Sequence, residues 1–177
     1  MKKDSLKSVI VITVICLVIA ALMAVINGVT APMIADSNAK AEKEALFIVI
    51  DGAEDFKKIE TEDLPDSVTA IYAETSGKGY AVMLGAAGYD SSNPMVIAVG
   101  IDNNGKLTKC HVVSCNGETS GIGSKVSGED FLSQFIGADS ELSGVDAISG
   151  ATISSSAFIE SVGDAFRAYE IVKEAAE

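Results

Sequence analysis

Residues 9–29 form 21 consecutive positions without a charged side chain, interrupted in apolar character only by Thr13, Asn27 and Gly28. At ~1.5 Å rise per residue, a helix of this length crosses a bilayer core of roughly 30 Å. A cleaved signal peptide has a shorter apolar region, on the order of 7–15 residues, so the length favours an uncleaved anchor. Cys16 lies inside the run and no lipobox-like cysteine follows it. Lys2, Lys3 and Lys7 precede the run, whereas the next basic residue downstream is Lys40. Positive charge stays on the cytoplasmic side, so the expectation is a single-pass cell-membrane protein, N-terminus cytoplasmic and main domain extracytoplasmic.

The 177-residue chain has room for one compact domain beyond that anchor. It holds 13 basic and 25 acidic residues; without Lys2, Lys3, Lys7 and Asp4, the part beyond residue 29 carries a net charge of −14. Such a surface repels phosphodiester backbones, which argues against a nucleic-acid partner. Three cysteines do not make a disulfide framework. Cys110 and Cys115, on what reads as one strand, would point to opposite faces and lie roughly 16 Å apart if extended. With His111 as the single histidine and no clustered ligands, no metal site is expected. His111 reads as a surface or rim residue of that strand.

Pro32 suits a first-turn helical position or a short break. Residues 35–50, rich in Ala, Glu and Lys, read as a helix leaving the membrane, its charges forming a solvated face. A polar, acidic stretch fills residues 54–66. Period-two patterns then predict strands over 68–74, 79–84, 95–101 and 107–114, the last two flanking the hairpin signal Asp102-Asn103-Asn104-Gly105. That cluster lacks the longer ligand series of an EF-hand and reads as a turn. A short helix is expected around residues 129–136. A C-terminal amphipathic helix carries Phe158, Val162, Ala165, Phe166, Tyr169 and Val172 at helical spacing. Strands followed by helices predict an α+β domain, a twisted antiparallel sheet with packed helices. The expected division is 1–30 anchor, 31–66 connecting helix and linker, and 67–177 domain.

Asp146-Ala147-Ile148-Ser149-Gly150-Ala151-Thr152-Ile153-Ser154 opens directly onto that last helix. A helix N-terminus offers unpaired N–H groups and a positive dipole end, which suits a phosphate. The plain reading is an N-cap worth roughly 1 kcal/mol. A P-loop is excluded because its lysine is missing. Upstream stands a second small-residue loop, Gly117-Glu118-Thr119-Ser120-Gly121-Ile122-Gly123.

Taken together, Ser149-Gly150-Ala151-Thr152, with Asp146 before it and Ser154 after it, resembles the flavinylation motif of the FMN-binding domain family. The Glu118 loop resembles that family's Glu-Thr-Pro-Gly-Leu-Gly loop, with Ser120 in place of the proline and Ile122 in place of the leucine. Gly88-Tyr89 before the hairpin and the segment from Glu44 to Ala53 also fit, so the resemblance covers nearly all of residues 40–175. The length and single anchor look most like the G subunits of Rnf complexes, relatives of the C subunits of sodium-pumping NADH:quinone reductases. The resemblance implies covalent FMN, its phosphoester on Thr152. Ser149, Gly150, Ala151 and Ser154 are then expected to support the phosphate, and Glu118, Thr119, Gly121 and Ile122 to contact the ring.

It further implies an electron-relay subunit of a membrane ion-translocating ferredoxin:NAD oxidoreductase, a translocase with no stand-alone catalytic site in this chain. The expected partners are other integral membrane and redox subunits, and a flavin transferase that uses FAD and magnesium. No G-x-G-x-x-G follows a strand to open a helix, and no cysteine series could hold an iron–sulfur cluster. Two other classes stay open on sequence: a stand-alone membrane-anchored FMN-domain reductase, and a cofactor-free extracytoplasmic binding module whose Ser-Gly-Ala-Thr turn only caps a helix.

Overall fold

The computed structural model describes residues 2–61 and 63–176, without the side chains of residues 2–6 and 176. Lys2 and Lys3, on which the charge bias partly rests, thus have side chains outside the described residues, as does Glu62 of the acidic stretch. The chain divides into two compact units, Met1–Lys40 and Ala41–Glu177. Helix α1, Lys2–Val49, supplies all of the described part of the first and the opening turns of the second.

In the first unit the described side chains from residue 7 to residue 40 are exposed. Lys7–Val49 holds the one helical stretch, among the described residues, long and apolar enough to cross a membrane. The hydroxyls of Thr13 and Thr30 donate to the carbonyls of Val9 and Ile26, at 2.9 and 3.0 Å. Each polar side chain is thereby satisfied by its own helix, as an apolar solvent demands. The helix does not break at Pro32. The ring removes one N–H and leaves the Gly28 carbonyl, four residues back, without its intrahelical donor.

The second unit is built on a five-stranded antiparallel sheet in the order β1-β2-β3-β4-β5. Its strands are β1 (Phe56–Ile59), β2 (Val68–Glu74), β3 (Gly79–Ala86), β4 (Met95–Asp102) and β5 (Leu107–Ser114). The turn between β4 and β5 forms as its sequence predicts. Asp102 Oδ1 accepts from the N–H groups of Asn104 and Lys106, at 2.8 and 2.9 Å, so that carboxylate caps the turn. A short α2 (Glu129–Leu132) between two 3₁₀ turns, Gly123–Ser127 and Ser133–Phe135, follows the sheet. Helix α3 (Thr152–Ala176) closes the domain.

Alternation along the strands gives the sheet two different buried faces. Met95, Ile97, Val99 and Ile101 of β4 face one core, which α3 covers with Phe158, Val162, Ala165, Phe166 and Tyr169. Phe158 meets Phe131 and Phe135 edge-on or tilted, with ring centroids 5.2 Å away in both cases. The opposite face carries the small residues Ala70, Ala81 and Ala98, and the end of α1 covers it with Ala45, Leu46 and Val49. Gly100 lies there too. A Cβ on it would strike the Val49 carbonyl and Thr108 Oγ1, whose hydroxyl donates to that same carbonyl at 2.5 Å. Small residues let the helix end lie close to the strands.

Two features differ from the sequence reading. The folded unit begins at Ala41, well before residue 67, because the apolar end of α1 and strand β1 are built onto the sheet. Phe47 of α1 stacks edge-on against Phe56 of β1 at 5.1 Å. Cys110 and Cys115 also do not face opposite ways, since both adjoin the α3-side core. A bulge between β4 and β5 pairs Val96 with Ser114 and Ile97 with Val112, so Val113 is extra and the alternation shifts by one. Both cysteines are free thiols. Burial pushes the Cys110 thiol far above the ordinary cysteine range.

Candidate functional site

Two loops converge on the start of α3. The first, residues 117–124, is folded by its own backbone. The Thr119 carbonyl accepts from the N–H groups of Ile122 and Ser124 at 3.1 and 3.2 Å, and Gly121 N–H donates to Ser124 Oγ at 2.9 Å. In the turn from Thr119 to Ile122, Gly121 stands third with φ of 74° while Ser120 has no positive φ. That is a type II turn, whose second position favours proline and whose third needs glycine. Ser120 therefore sits in a position shaped for the residue it replaces, and the loop closes without it.

The second loop, residues 146–151, ends where α3 begins. Gly150 has φ of 81°, a left-handed backbone that frees the chain to turn into the helix. Ser155, fully buried in the first turn of α3, accepts from Ile148 N–H at 3.0 Å and donates to the Ala151 carbonyl at 2.9 Å. This serine, absent from the sequence reading, staples the loop to the helix. Its only sequence signal is its place in a run of three serines.

An N-capping hydroxyl would accept from an N–H of the first turn. Among the described residues, neither Ser149 Oγ nor Thr152 Oγ does so, and no acceptor faces the N–H groups of Thr152, Ile153 or Ser154. The residue just before the helix is Ala151, which has no side chain to cap with. Thr152 is exposed at the first helical position. The hydroxyl and the helix N-terminus are thus both free for something else.

They open onto a cavity of 560 Å³. Gly150, Ala151, Thr152, Ile153 and Ser154 form one wall, Thr119, Ile122 and Gly123 another, and Tyr89 a third. Six of the nine residues expected from sequence line it. Glu118 is buried beside the cavity, outside its lining, while Ser149 and Gly121 lie on the exposed turns that flank it. Tyr89, Gly123 and Ile153 were not among the expected site residues. The Gly88-Tyr89 pair was visible as a motif, but nothing in sequence brings it to this wall.

Glu118 ties the walls together. One carboxylate oxygen accepts from Tyr89 N–H at 3.0 Å, and the other accepts a short hydrogen bond from the Ser154 hydroxyl. A Cβ at Gly88 or Gly123 would collide with this carboxylate, so a side chain at either position would displace it.

Among the described residues, no charged side chain lines the cavity. Its size falls within the roughly 300–1,000 Å³ of small-molecule sites. Apolar and hydroxyl walls suit a heteroaromatic ring, and three free N–H groups at a helix N-terminus suit a phosphate. The residues present fit FMN. A larger cavity of 610 Å³ elsewhere on α3 is lined by Asp66, Ser67, Glu160, Asp164 and Arg167 among others. Asp164 there already accepts from Ser67 at 2.6 Å and from Arg167 at 2.8 Å.

Fold and site together define a membrane-anchored FMN-binding-domain protein. A family model described as FMN-binding domain matches residues 88–167, which hold Tyr89, both loops and the start of α3. A second, described as the RnfG N-terminal region, matches residues 1–49. The G subunit of an ion-translocating oxidoreductase complex from Methanosarcina acetivorans is 30% identical over a 177-residue alignment, covering 92% of this chain and 93% of the relative. The chain belongs to the family of Rnf complex G subunits.

Proposed function

We propose that this chain is the FMN-carrying electron-relay subunit of an Rnf-type ion-translocating oxidoreductase complex, with the cofactor esterified to Thr152. The observation that carries this reading is the meeting of both motif loops on one uncharged cavity, with an uncapped threonine hydroxyl at the opening of α3. FMN, when bound, supplies reversible electron acceptance. The chain's residues bind and orient it: the first-turn N–H groups of α3 face the phosphate, and Gly150 and Ala151 let the backbone approach closely. Ser149, Ser154, Glu118, Thr119, Gly121 and Ile122 complete the proposed binding set.

A threonine hydroxyl is a weak nucleophile at its ordinary pKa, and no general base lines the cavity among the described residues. Attachment therefore falls to a flavin transferase using FAD and magnesium. In that transfer Thr152 Oγ would take the place of AMP on the flavin phosphate: its bond to phosphorus would form as the pyrophosphate bond of FAD breaks, AMP would leave, and the hydroxyl proton would pass to solvent. The anchor is proposed to place its N-terminus in the cytoplasm and the domain outside, where a dissociated cofactor could not readily be replaced. Electrons then arrive through integral membrane and redox partner subunits, and ion translocation belongs to the complex.

The test is the full chain produced with and without a flavin transferase. With it, the denatured band should fluoresce under ultraviolet light, and the Thr152 peptide should gain the mass of FMN less one water. Thr152→Ala should carry no label and Thr152→Ser a reduced one. Full labelling of Thr152→Ala would place the attachment elsewhere.

A further inference from the structure

Glu118 and Ser154 make an arrangement with a chemical consequence. Both Glu118 oxygens act as acceptors, one from Tyr89 N–H and the other from the Ser154 hydroxyl. Ser154 has a single hydroxyl proton, and it is committed to Glu118. What Ser154 Oγ can still present to the cavity it lines is a lone pair. The non-bridging oxygens of a phosphodiester are also acceptors, so they find no partner there. The hydroxyls of a ribityl chain can donate to such a lone pair.

We propose that Glu118 is a positioning residue that holds Ser154 as an acceptor, so that Ser154 meets a ribityl hydroxyl of the cofactor rather than its phosphodiester. The inference rests on the flavin reading above and departs from the phosphate role expected of Ser154 and the ring contact expected of Glu118. It leaves the phosphodiester to the three free N–H groups of α3, which are donors only. Two chemically opposite subsites thus lie within three residues. Gly88 and Gly123 belong to the same device, because a side chain at either would displace the carboxylate.

The test uses the flavinylated full chain in detergent, with two spectroscopic readouts. The phosphorus-31 resonance reports the phosphodiester, and the visible circular dichroism of the flavin reports how the ribityl chain holds the ring. Ser154→Ala should keep the covalent label and leave the phosphorus resonance where it is, while the visible circular dichroism changes. Glu118→Gln keeps the side-chain size, but its amide donates to Ser154 and releases the hydroxyl proton. It should reproduce the circular dichroism change, and it should add nothing further in the Ser154→Ala background. A phosphorus resonance that moves in Ser154→Ala, or a circular dichroism spectrum that does not, would overturn the assignment. An equal effect of Glu118→Gln with and without Ser154 would show that Glu118 acts on the flavin directly. A wild-type chain with no covalent phosphorus signal would instead overturn the flavin reading, and this inference with it.

Discussion

Glu74 shows how much one carboxylate can fasten. Its oxygens accept from Glu54 N–H at 3.1 Å, from the Ser76 hydroxyl at 2.7 Å and from Lys78 N–H at 3.0 Å. Burial alone would raise its pKa, but these hydrogen bonds to the charged form outweigh it and bring the group from 4.5 to about 2. A folded-state pKa below the unfolded one stabilises the fold above pH 4.5, and that contribution is lost as pH falls from 4.5 through about 2. Urea midpoints of the full chain in detergent should therefore drop across that window, and Glu74→Gln should flatten the drop. An unchanged pH slope in the variant would remove Glu74 from the account. Ser120 allows a change of the opposite sign. It occupies the second position of a type II turn, so Ser120→Pro should stabilise by about 0.4–1 kcal/mol through the unfolded chain. The check is a higher urea midpoint at unchanged slope, and a lower one would mean that the Ser120 N–H is needed.

At the scale of elements, the sheet is held from both faces by different means. Phe158 is fully buried against Phe131 and Phe135, so Phe158→Ala should cost about 3–5 kcal/mol by thermal or urea unfolding. A loss under 1 kcal/mol would mean that α3 can collapse onto the cavity. On the other face Gly100→Ala should cost about 1–3 kcal/mol, because the added methyl meets the Val49 carbonyl and Thr108 Oγ1. Strands β2 to β5 were legible in the sequence because their apolar residues alternate and Asp102-Asn103-Asn104-Gly105 marks a turn. β1 was not. It has four residues, lies at the sheet edge, and Lys57 and Lys58 break its pattern. The unbroken α1 was hidden by Pro32, and the bulge at Val113 by the fact that pairing with β4 creates it. For the site, motif resemblance marked both loops, and six of the nine expected site residues share one cavity. The Glu118–Ser154 bond joins residues 36 apart, and Ser155 works through a local staple, so neither showed in any spacing.

The whole molecule joins a membrane-spanning stretch to a flavin domain, and its function depends on the side each occupies. The proposed topology, argued from the lysines ahead of the apolar run, has the domain outside. Protease added to intact cells or spheroplasts should reach a C-terminal tag, and protection of the tag until the membrane is broken would reverse the orientation. A domain outside has no access to cytosolic NADH, which makes it a relay fed by partner subunits. The most direct test of that claim is ferredoxin-linked NAD reduction together with ion export, in membranes holding the whole complex with either wild-type chain or Thr152→Ala. The relay account predicts that both activities stop together in the variant while the complex stays assembled. Retention of both at the wild-type rate would contradict it.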